Sequence, residues 1–104
     1  MKISFWEALG MRLRRTPVGL MRRALALAEA EGHDVALVDL EAHFLANGDP
    51  IRVLKGMTEA SRLGIDPSFQ RFAVVDLTGR DPVAAARRAA EVGWDTYLRE
   101  QGAG

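Results

Sequence analysis

The side chains best suited to metal chemistry are His33 and His43, the only two histidines in the chain. Asp39 precedes His43 by four residues, so their side chains would share one face of a helix. A metal site needs three or four ligands, and Asp39 or Glu41 would have to supply the remainder. Because an Asp-x-x-x-His pair is common by chance, we expect satisfied or half-exposed histidines and predict no metal site.

The other residue types that carry catalysis lack partners in the sequence. The chain has no cysteine, and no serine or threonine stands in an arrangement that suggests a triad with histidine. Ser68 fits the first turn of a helix, where capping explains it. Asp76 with Arg80 and Asp81 fits helix-end capping and a local ion pair better than general acid–base catalysis. We therefore predict a protein that is not an enzyme and has no cofactor or small-molecule substrate.

The N-terminal segment, residues 1–15, combines aromatic and basic side chains in a pattern typical of a contact surface. A basic cluster ends the segment. Its apolar residues fall on one helical face: Ile3, Phe5, Trp6, Leu9 and Leu13. In interfacial membrane helices, such rings enter the headgroup boundary while arginines meet anionic lipid. The alternative is a first helix that packs its rings into the core. The two interpretations are compatible if the helix is packed at one end and exposed at the other. The predicted membrane- or partner-binding residues are Phe5, Trp6, Leu9, Arg12, Arg14 and Arg15.

The charges of the chain cancel in total but not in distribution. Fourteen basic residues balance fourteen acidic ones, so no global field favours nucleic acid or anionic lipid. Residues 1–28 nevertheless carry six basic residues and one acidic residue, and the remainder carries the compensating negative charge. The predicted partner is an anionic membrane surface or a membrane protein, with self-association left open. The alternative is a small intracellular regulator that binds protein or nucleic acid through this basic half, nucleic acid being the less favoured partner.

Proline and glycine divide the rest of the chain into helices. Four prolines each follow a good capping residue, in Thr16-Pro17, Asp49-Pro50, Asp66-Pro67 and Asp81-Pro82. Glycines at 32, 48, 64, 79 and 93 mark helix ends, although Gly93 also fits inside the last helix. The predicted helices are 17–31, 37–47, 50–63, 67–78 and 82–100, and residues 35–38 fit an extended piece equally well.

These elements predict an all-α fold, a compact bundle of five to six short helices. We expect one domain over 1–100, with 1–15 as the amphipathic basic segment and 16–100 as the helical core, followed by a disordered tail at 101–104. The longest apolar runs are far shorter than the ~20 residues of a membrane-spanning helix. We therefore expect a cytoplasmic protein, peripheral at the inner face of the cell membrane if segment 1–15 binds lipid.

Three motifs in order resemble one protein family. They are Gly10-Met11-Arg12-Leu13-Arg14-Arg15, Leu40-Glu41-Ala42-His43-Phe44-Leu45-Ala46-Asn47-Gly48 and Asp76-Leu77-Thr78-Gly79-Arg80-Asp81, with residues 65–72 fitting between the last two. Their order and spacing resemble the bacterial flotillin-like FloA family, a relative of the flotillins, over residues 2–85.

The resemblance implies a non-enzymatic, membrane-anchored scaffold that assembles in membrane microdomains. In that family, the segment matching residues 2–15 follows a hydrophobic anchor, so the resemblance implies a juxtamembrane position for it. The family's anchor, its long β-containing region and its coiled coil have no counterpart here, so anchoring and coiled-coil assembly are not carried over. We expect either an excised domain or a short relative.

Overall fold

The computed structural model describes residues 3–102, which form seven α-helices and no strand. The helices are α1 (Phe5–Leu13), α2 (Val18–Ala30), α3 (Leu37–Leu45), α4 (Pro50–Arg62), α5 (Phe69–Leu77), α6 (Pro82–Val92) and α7 (Trp94–Gly102). The predicted all-α class is therefore confirmed for this part of the chain. The predicted number of five to six helices is too low, because the segment predicted as one helix over 82–100 is divided in two.

The division falls at Gly93, whose backbone has φ 85° and ψ 156°. Side chains are sterically excluded from that conformation, which is essentially reserved for glycine. The N–H of Gly93 donates to the carbonyl of Ala89 at 2.7 Å, and its own carbonyl accepts from Tyr97 at 3.0 Å. One residue thus ends α6 and starts α7, and the interpretation of Gly93 as interior to a helix is wrong.

Two of the four predicted proline-flanked caps are confirmed. The carboxylate of Asp49 accepts from the N–H groups of Ile51 and Arg52, and that of Asp81 accepts from Val83. Both prolines that follow stand at the first turn, where a missing N–H removes no hydrogen bond.

The other two predicted caps are wrong, for a different reason in each case. At the start of α5, the hydroxyl of Ser68 rather than Asp66 accepts from Arg71 N–H, so the capping role expected of Ser68 is confirmed. At the start of α2, Pro17 is the N-cap, and no side chain accepts a hydrogen bond from the N–H groups of the first turn. The hydroxyl of Thr16 donates instead to Glu41, which lies on another helix.

The glycine end signals hold at four positions, since Gly32, Gly64, Gly79 and Gly93 all have positive φ. At Gly48 the left-handed residue is instead its predecessor Asn47, with φ 69°, and asparagine tolerates that region better than most residues. Gly48 is needed for space, because a Cβ there would lie 2.2 Å from Nε2 of His43.

Helix α4 forms the centre of the bundle and packs against α2, α3, α5 and α6. Val53, Leu54 and Ala60 of this helix have no exposed surface. Gly56 lets α6 approach, because a Cβ there would lie 2.5 Å from Cβ of Pro82 and 3.0 Å from Cδ1 of Phe72. The core therefore depends on one amphipathic helix, α4, and on its close crossing with α6.

The last described helix includes part of the predicted tail. Helix α7 continues to Gly102, so Gln101 and Gly102 are helical, and Gln101 Oε1 accepts a hydrogen bond from Arg80. Residues 103 and 104 of that tail, and residues 1 and 2 of the predicted basic segment, lie outside the described residues. The division of the chain at residue 15 remains a prediction.

Candidate contact site on helix α1

Helix α1 begins through a reciprocal pair of local hydrogen bonds. The hydroxyl of Ser4 accepts from Glu7 N–H at 3.1 Å, and Glu7 Oε1 accepts from Ser4 N–H at 3.1 Å. This capping box satisfies two backbone donors that the first turn leaves without partners. Only Met11 of α1 is buried, at 1% exposure, and it joins the core cluster. The helix is therefore fixed to the bundle along one narrow line.

The aromatic side chains of α1 point away from the core. Phe5 and Trp6 are 72% and 75% exposed, and Leu13 is 80% exposed. The two rings contact each other edge to face with centroids 5.3 Å apart. The interpretation in which these rings pack into the core is therefore wrong. Leu9 is 39% exposed, so it borders the surface that the rings form.

The three arginines of the predicted site do not share one environment. Arg12 and Arg15 are exposed and form no ion pair with any residue of 3–102. Arg14 instead makes a bidentate pair with Glu41 of α3, with Nε–Oε2 at 2.9 Å and Nη2–Oε1 at 2.7 Å. We refer to Phe5, Trp6, Arg12, Leu13 and Arg15 as the aromatic–basic face. Arg14 is therefore held by Glu41 while half of its side chain stays exposed, and its predicted binding role stays a prediction.

Glu41 connects the end of α1 to the interior of the bundle. It is 8% exposed, and its Oε2 also accepts a hydrogen bond from the hydroxyl of Thr16 at 2.7 Å. The hydrogen bond from Arg14 is the main reason that the pKa of Glu41 lies below its usual range. Gly10 leaves the space for this arrangement, because a Cβ there would lie 3.1 Å from Nη1 of Arg14.

Sequence reasoning missed this connection because its members are far apart in the chain. Glu41 lies 27 residues from Arg14 and 25 from Thr16. The local pattern at Thr16-Pro17 indicated a helix cap, and nothing local distinguished Arg14 from its neighbours. One signal could have suggested a charged partner. Glu41 lies on an otherwise apolar face of the predicted helix, where a buried carboxylate would need such a partner.

The histidine candidates have structural partners. His43 Nε2 lies 2.8 Å from Asp76 Oδ2, both side chains being almost fully buried. The same carboxylate accepts from Asp49 N–H at 2.7 Å, and Arg52 Nε lies 3.6 Å from its Oδ1. His33 Nε2 lies 3.0 Å from Thr58 Oγ1. The histidines are thus satisfied by hydrogen bonds, as predicted.

The local ion pair predicted for Asp76 with Arg80 does not form. Asp76 joins α5 to α3 and to the start of α4, while Arg80 turns to Gln101 instead. Between residues 3 and 102, no three His, Cys, Asp or Glu side chains are grouped in a way that could hold a metal ion.

The residues described above match a known protein family. The model of the flotillin-like protein FloA family matches residues 1–92. The chain belongs to the flotillin-like FloA family. The resemblance carried by the three motifs is thereby confirmed, and the match extends beyond the predicted residue 85 to the end of α6. No solved structure matches the chain.

Individual relatives give the extent of the similarity. The chain is 40% identical over 86 residues to flotillin-like protein FloA of Dictyoglomus turgidum, an alignment covering 82% of this chain and 26% of that protein. It is 36% identical over 86 residues to the protein of that name from Desulforapulum autotrophicum, covering 83% and 26%. For Staphylococcus epidermidis the figures are 38% over 79 residues, covering 76% and 24%. The chain thus spans about a quarter of the length of these relatives.

The family match includes α1 and leaves out α7. Within residues 3–102, no helix has the length and hydropathy needed to cross a bilayer. The aromatic–basic face is therefore a surface feature of a family member, positioned by the Arg14–Glu41 pair at the edge of the bundle.

Proposed function

We propose that this chain is a non-enzymatic contact domain of a flotillin-like protein that binds the anionic surface of the cell membrane through α1. The observation that carries the proposal is the exposure of Phe5, Trp6 and Leu13 next to Arg12 and Arg15. Aromatic and aliphatic side chains bury apolar area at the headgroup boundary. Each arginine near an anionic leaflet adds about 1 kcal/mol.

The way α1 is attached supports this role. An interfacial contact needs an apolar face that stays outside the core, and α1 buries only Met11. The face must also be held in place, since an unattached nine-residue helix is marginal in water. The capping box at Ser4 and the Arg14–Glu41 pair supply that support at the two ends of the helix.

The neighbouring charges favour the same partner. Arg22 and Arg23 are exposed on α2, the helix that packs against α1, and neither forms an ion pair with a described residue. Unpaired basic groups therefore lie on both α1 and the adjoining α2, whereas the acidic residues of the chain lie mostly beyond residue 28. Such a distribution would orient the domain with α1 toward a negative surface. We propose that the chain acts at the inner face of the membrane as part of a scaffold.

The test is co-sedimentation with vesicles of phosphatidylcholine that contain phosphatidylglycerol, at low and high salt. We expect binding that weakens as salt rises, because the arginine contribution is screened. Phe5→Ser with Trp6→Ser should abolish most of it. Val38→Ser with Leu45→Ser is the matched control, since these are exposed apolar residues of α3.

A second pair of variants isolates the charge contribution. Arg12→Gln with Arg15→Gln should reduce binding to anionic vesicles by about tenfold or more. Lys55→Gln with Arg99→Gln makes the same change in net charge at other exposed positions and should have a smaller effect. Binding that is equal for both pairs, or binding to duplex DNA but not to vesicles, would contradict the proposal.

A further inference from the structure

Helix α7 is joined to the rest of the bundle through a single residue. Gly93 both closes α6 and opens α7, so no loop separates the two helices. Its φ of 85° with ψ of 156° turns α7 back onto the bundle. The direction of α7 therefore depends on one pair of backbone angles that alanine would strongly disfavour.

The sequence on both sides of Gly93 is compatible with one continuous helix. Apolar residues step by three or four positions through the junction: Val83, Ala86, Ala90, Trp94 and Leu98. If residue 93 adopted helical angles, residues 82–102 would form a rod of about 30 Å. That rod would carry α7 away from the surface that it now covers.

The surface beneath α7 belongs entirely to other elements. Trp94 contacts Phe72 of α5 edge to face, with centroids 5.3 Å apart, and Arg71 lies 5.0 Å above its ring. Tyr97 is 5% exposed and packs with Val75 of α5 and Ala85 of α6. The residues that receive α7 would thus be complete for the α7 of another molecule.

The polar contacts of α7 are equally transferable. Glu100 accepts two hydrogen bonds from Arg88 of α6, at 3.1 and 2.6 Å, and Gln101 accepts from Arg80. The indole N–H of Trp94 is buried without a hydrogen-bond partner among residues 3–102. Exchange would leave this donor equally unpaired, so it does not bias the choice between the closed and exchanged arrangements.

We propose that two copies of this chain exchange α7, each docking it on the α5–α6 surface of the other, with Gly93 as the hinge. Exchange preserves every contact that α7 makes, so its equilibrium depends on the hinge and on the concentration of the chain. Short hinges favour exchange, because they cannot relax without moving the element that follows. The interface would be a symmetric one made of α7, α5 and α6.

The first test is the mass of the chain in solution by analytical ultracentrifugation over a range of concentrations. We expect a monomer–dimer equilibrium for the wild type. Gly93→Ala should lower its dissociation constant by about tenfold or more, because alanine disfavours the turned-back hinge. Gly64→Ala is the matched control: it also replaces a glycine of positive φ with open space around it, and it should leave the equilibrium unchanged.

A cross-linking experiment identifies the exchanged element. The chain has no cysteine, and Ala84 of α6 and Gln101 of α7 line the same surface cavity. With Ala84→Cys and Gln101→Cys, a short bifunctional maleimide would link residues within one chain in the closed form. In an exchanged dimer it would link two chains, giving a covalent dimer on a denaturing gel.

An insertion covers the case in which Gly93→Ala fails to fold. Placing Gly-Ser-Gly after Gly93 should relax the hinge and shift the wild-type equilibrium toward the monomer. A Gly93→Ala chain that folds and stays monomeric would overturn the proposal. It would equally be overturned by dimers whose cross-links all lie within one chain, or by an insertion variant that dimerises as the wild type does.

Discussion

Helices α1 and α7 are both nine residues long, yet they use their aromatic side chains in opposite ways. In α1, Phe5 and Trp6 contact each other on the outside of the bundle. In α7, Trp94 and Tyr97 contact each other and lie against Phe72 and Val75. The difference shows that an aromatic pair does not by itself predict burial. What decides is which face of the helix meets the core.

The two helices are also attached differently. The carboxylate that holds α1 belongs to Glu41, whose side chain is 11% exposed. The carboxylate that holds α7 belongs to Glu100, whose side chain is 37% exposed. Water screens the second pair more strongly, so an ion pair adds more to the attachment of α1, beside its buried Met11, than to that of α7, which is held mainly by its rings. This contrast suits a helix that presents its rings and a helix that can be exchanged.

The largest expected effect on stability is the difference between the two tryptophans. Trp94→Ala should lower the free energy of unfolding by about 3 kcal/mol, because it leaves Phe72 and Tyr97 without their packing partner. Trp6→Ala should change it by less than about 0.5 kcal/mol, since the ring is exposed. Urea denaturation of both variants checks this. Equal losses would mean that the rings of α1 are packed after all.

A smaller effect is expected at the charged attachment of α1. Glu41→Gln should destabilise the fold by about 1–2 kcal/mol at pH 7, because it weakens the hydrogen bonds from Arg14 and Thr16. Glu100→Gln, the matched change on α7, should have a smaller effect because that pair is exposed. Thermal unfolding of the two variants in the same buffer compares them directly.

The Glu41 contribution should depend on pH with a definite sign. Its pKa is lower in the folded chain than its usual value of 4.5. The stabilisation is therefore complete above that value and is lost as the pH falls through the folded pKa. The stability difference between wild type and Glu41→Gln should shrink as the pH falls below 4.5. A difference that stays constant down to pH 2 would contradict the assignment.

The smallest expected effect on stability concerns the residues of positive φ at the junctions of α1 and α7. Gly93 has positive φ at the start of α7, but after α1 the left-handed residue is Arg15, with φ 61°. Arg15→Gly should stabilise the chain by about 0.5 kcal/mol, because relief of strain exceeds the added entropy of the unfolded chain. The melting temperature would rise by about 2–4 °C. Arg15→Ala should not show this gain, because alanine keeps the strain.

Much of the helical organisation could be predicted from local residue patterns. Asp49-Pro50 and Asp81-Pro82 begin helices where expected, because a capping side chain and a proline act on their own first turn. The same signals failed at Thr16, whose hydroxyl is bound to the distant carboxylate of Glu41, and at Asp66, where the nearer Ser68 caps the helix. Local signals are reliable only when no tertiary partner competes for the same atoms.

The candidate site was predicted as a segment but not as a surface. Helical spacing identified the aromatic and basic residues of α1, yet Arg12, Arg14 and Arg15 are equivalent in that spacing. All three are exposed, and Arg14 alone is paired because it reaches Glu41, which the sequence places 27 residues away from it. Only the hydrogen bonds from Arg14 to Glu41 of α3 distinguish it from the other two.

The sequence by itself determined the all-α class, the family membership and the positions where glycine ends a helix, because these depend on spacing and on each residue's own backbone preferences. The tertiary structure decided that Met11 rather than Trp6 enters the core, that Arg14 is held by Glu41, and that α7 turns back at Gly93. Those outcomes depend on which distant groups share a small buried volume, and the free energy of that arrangement is not carried by any local pattern.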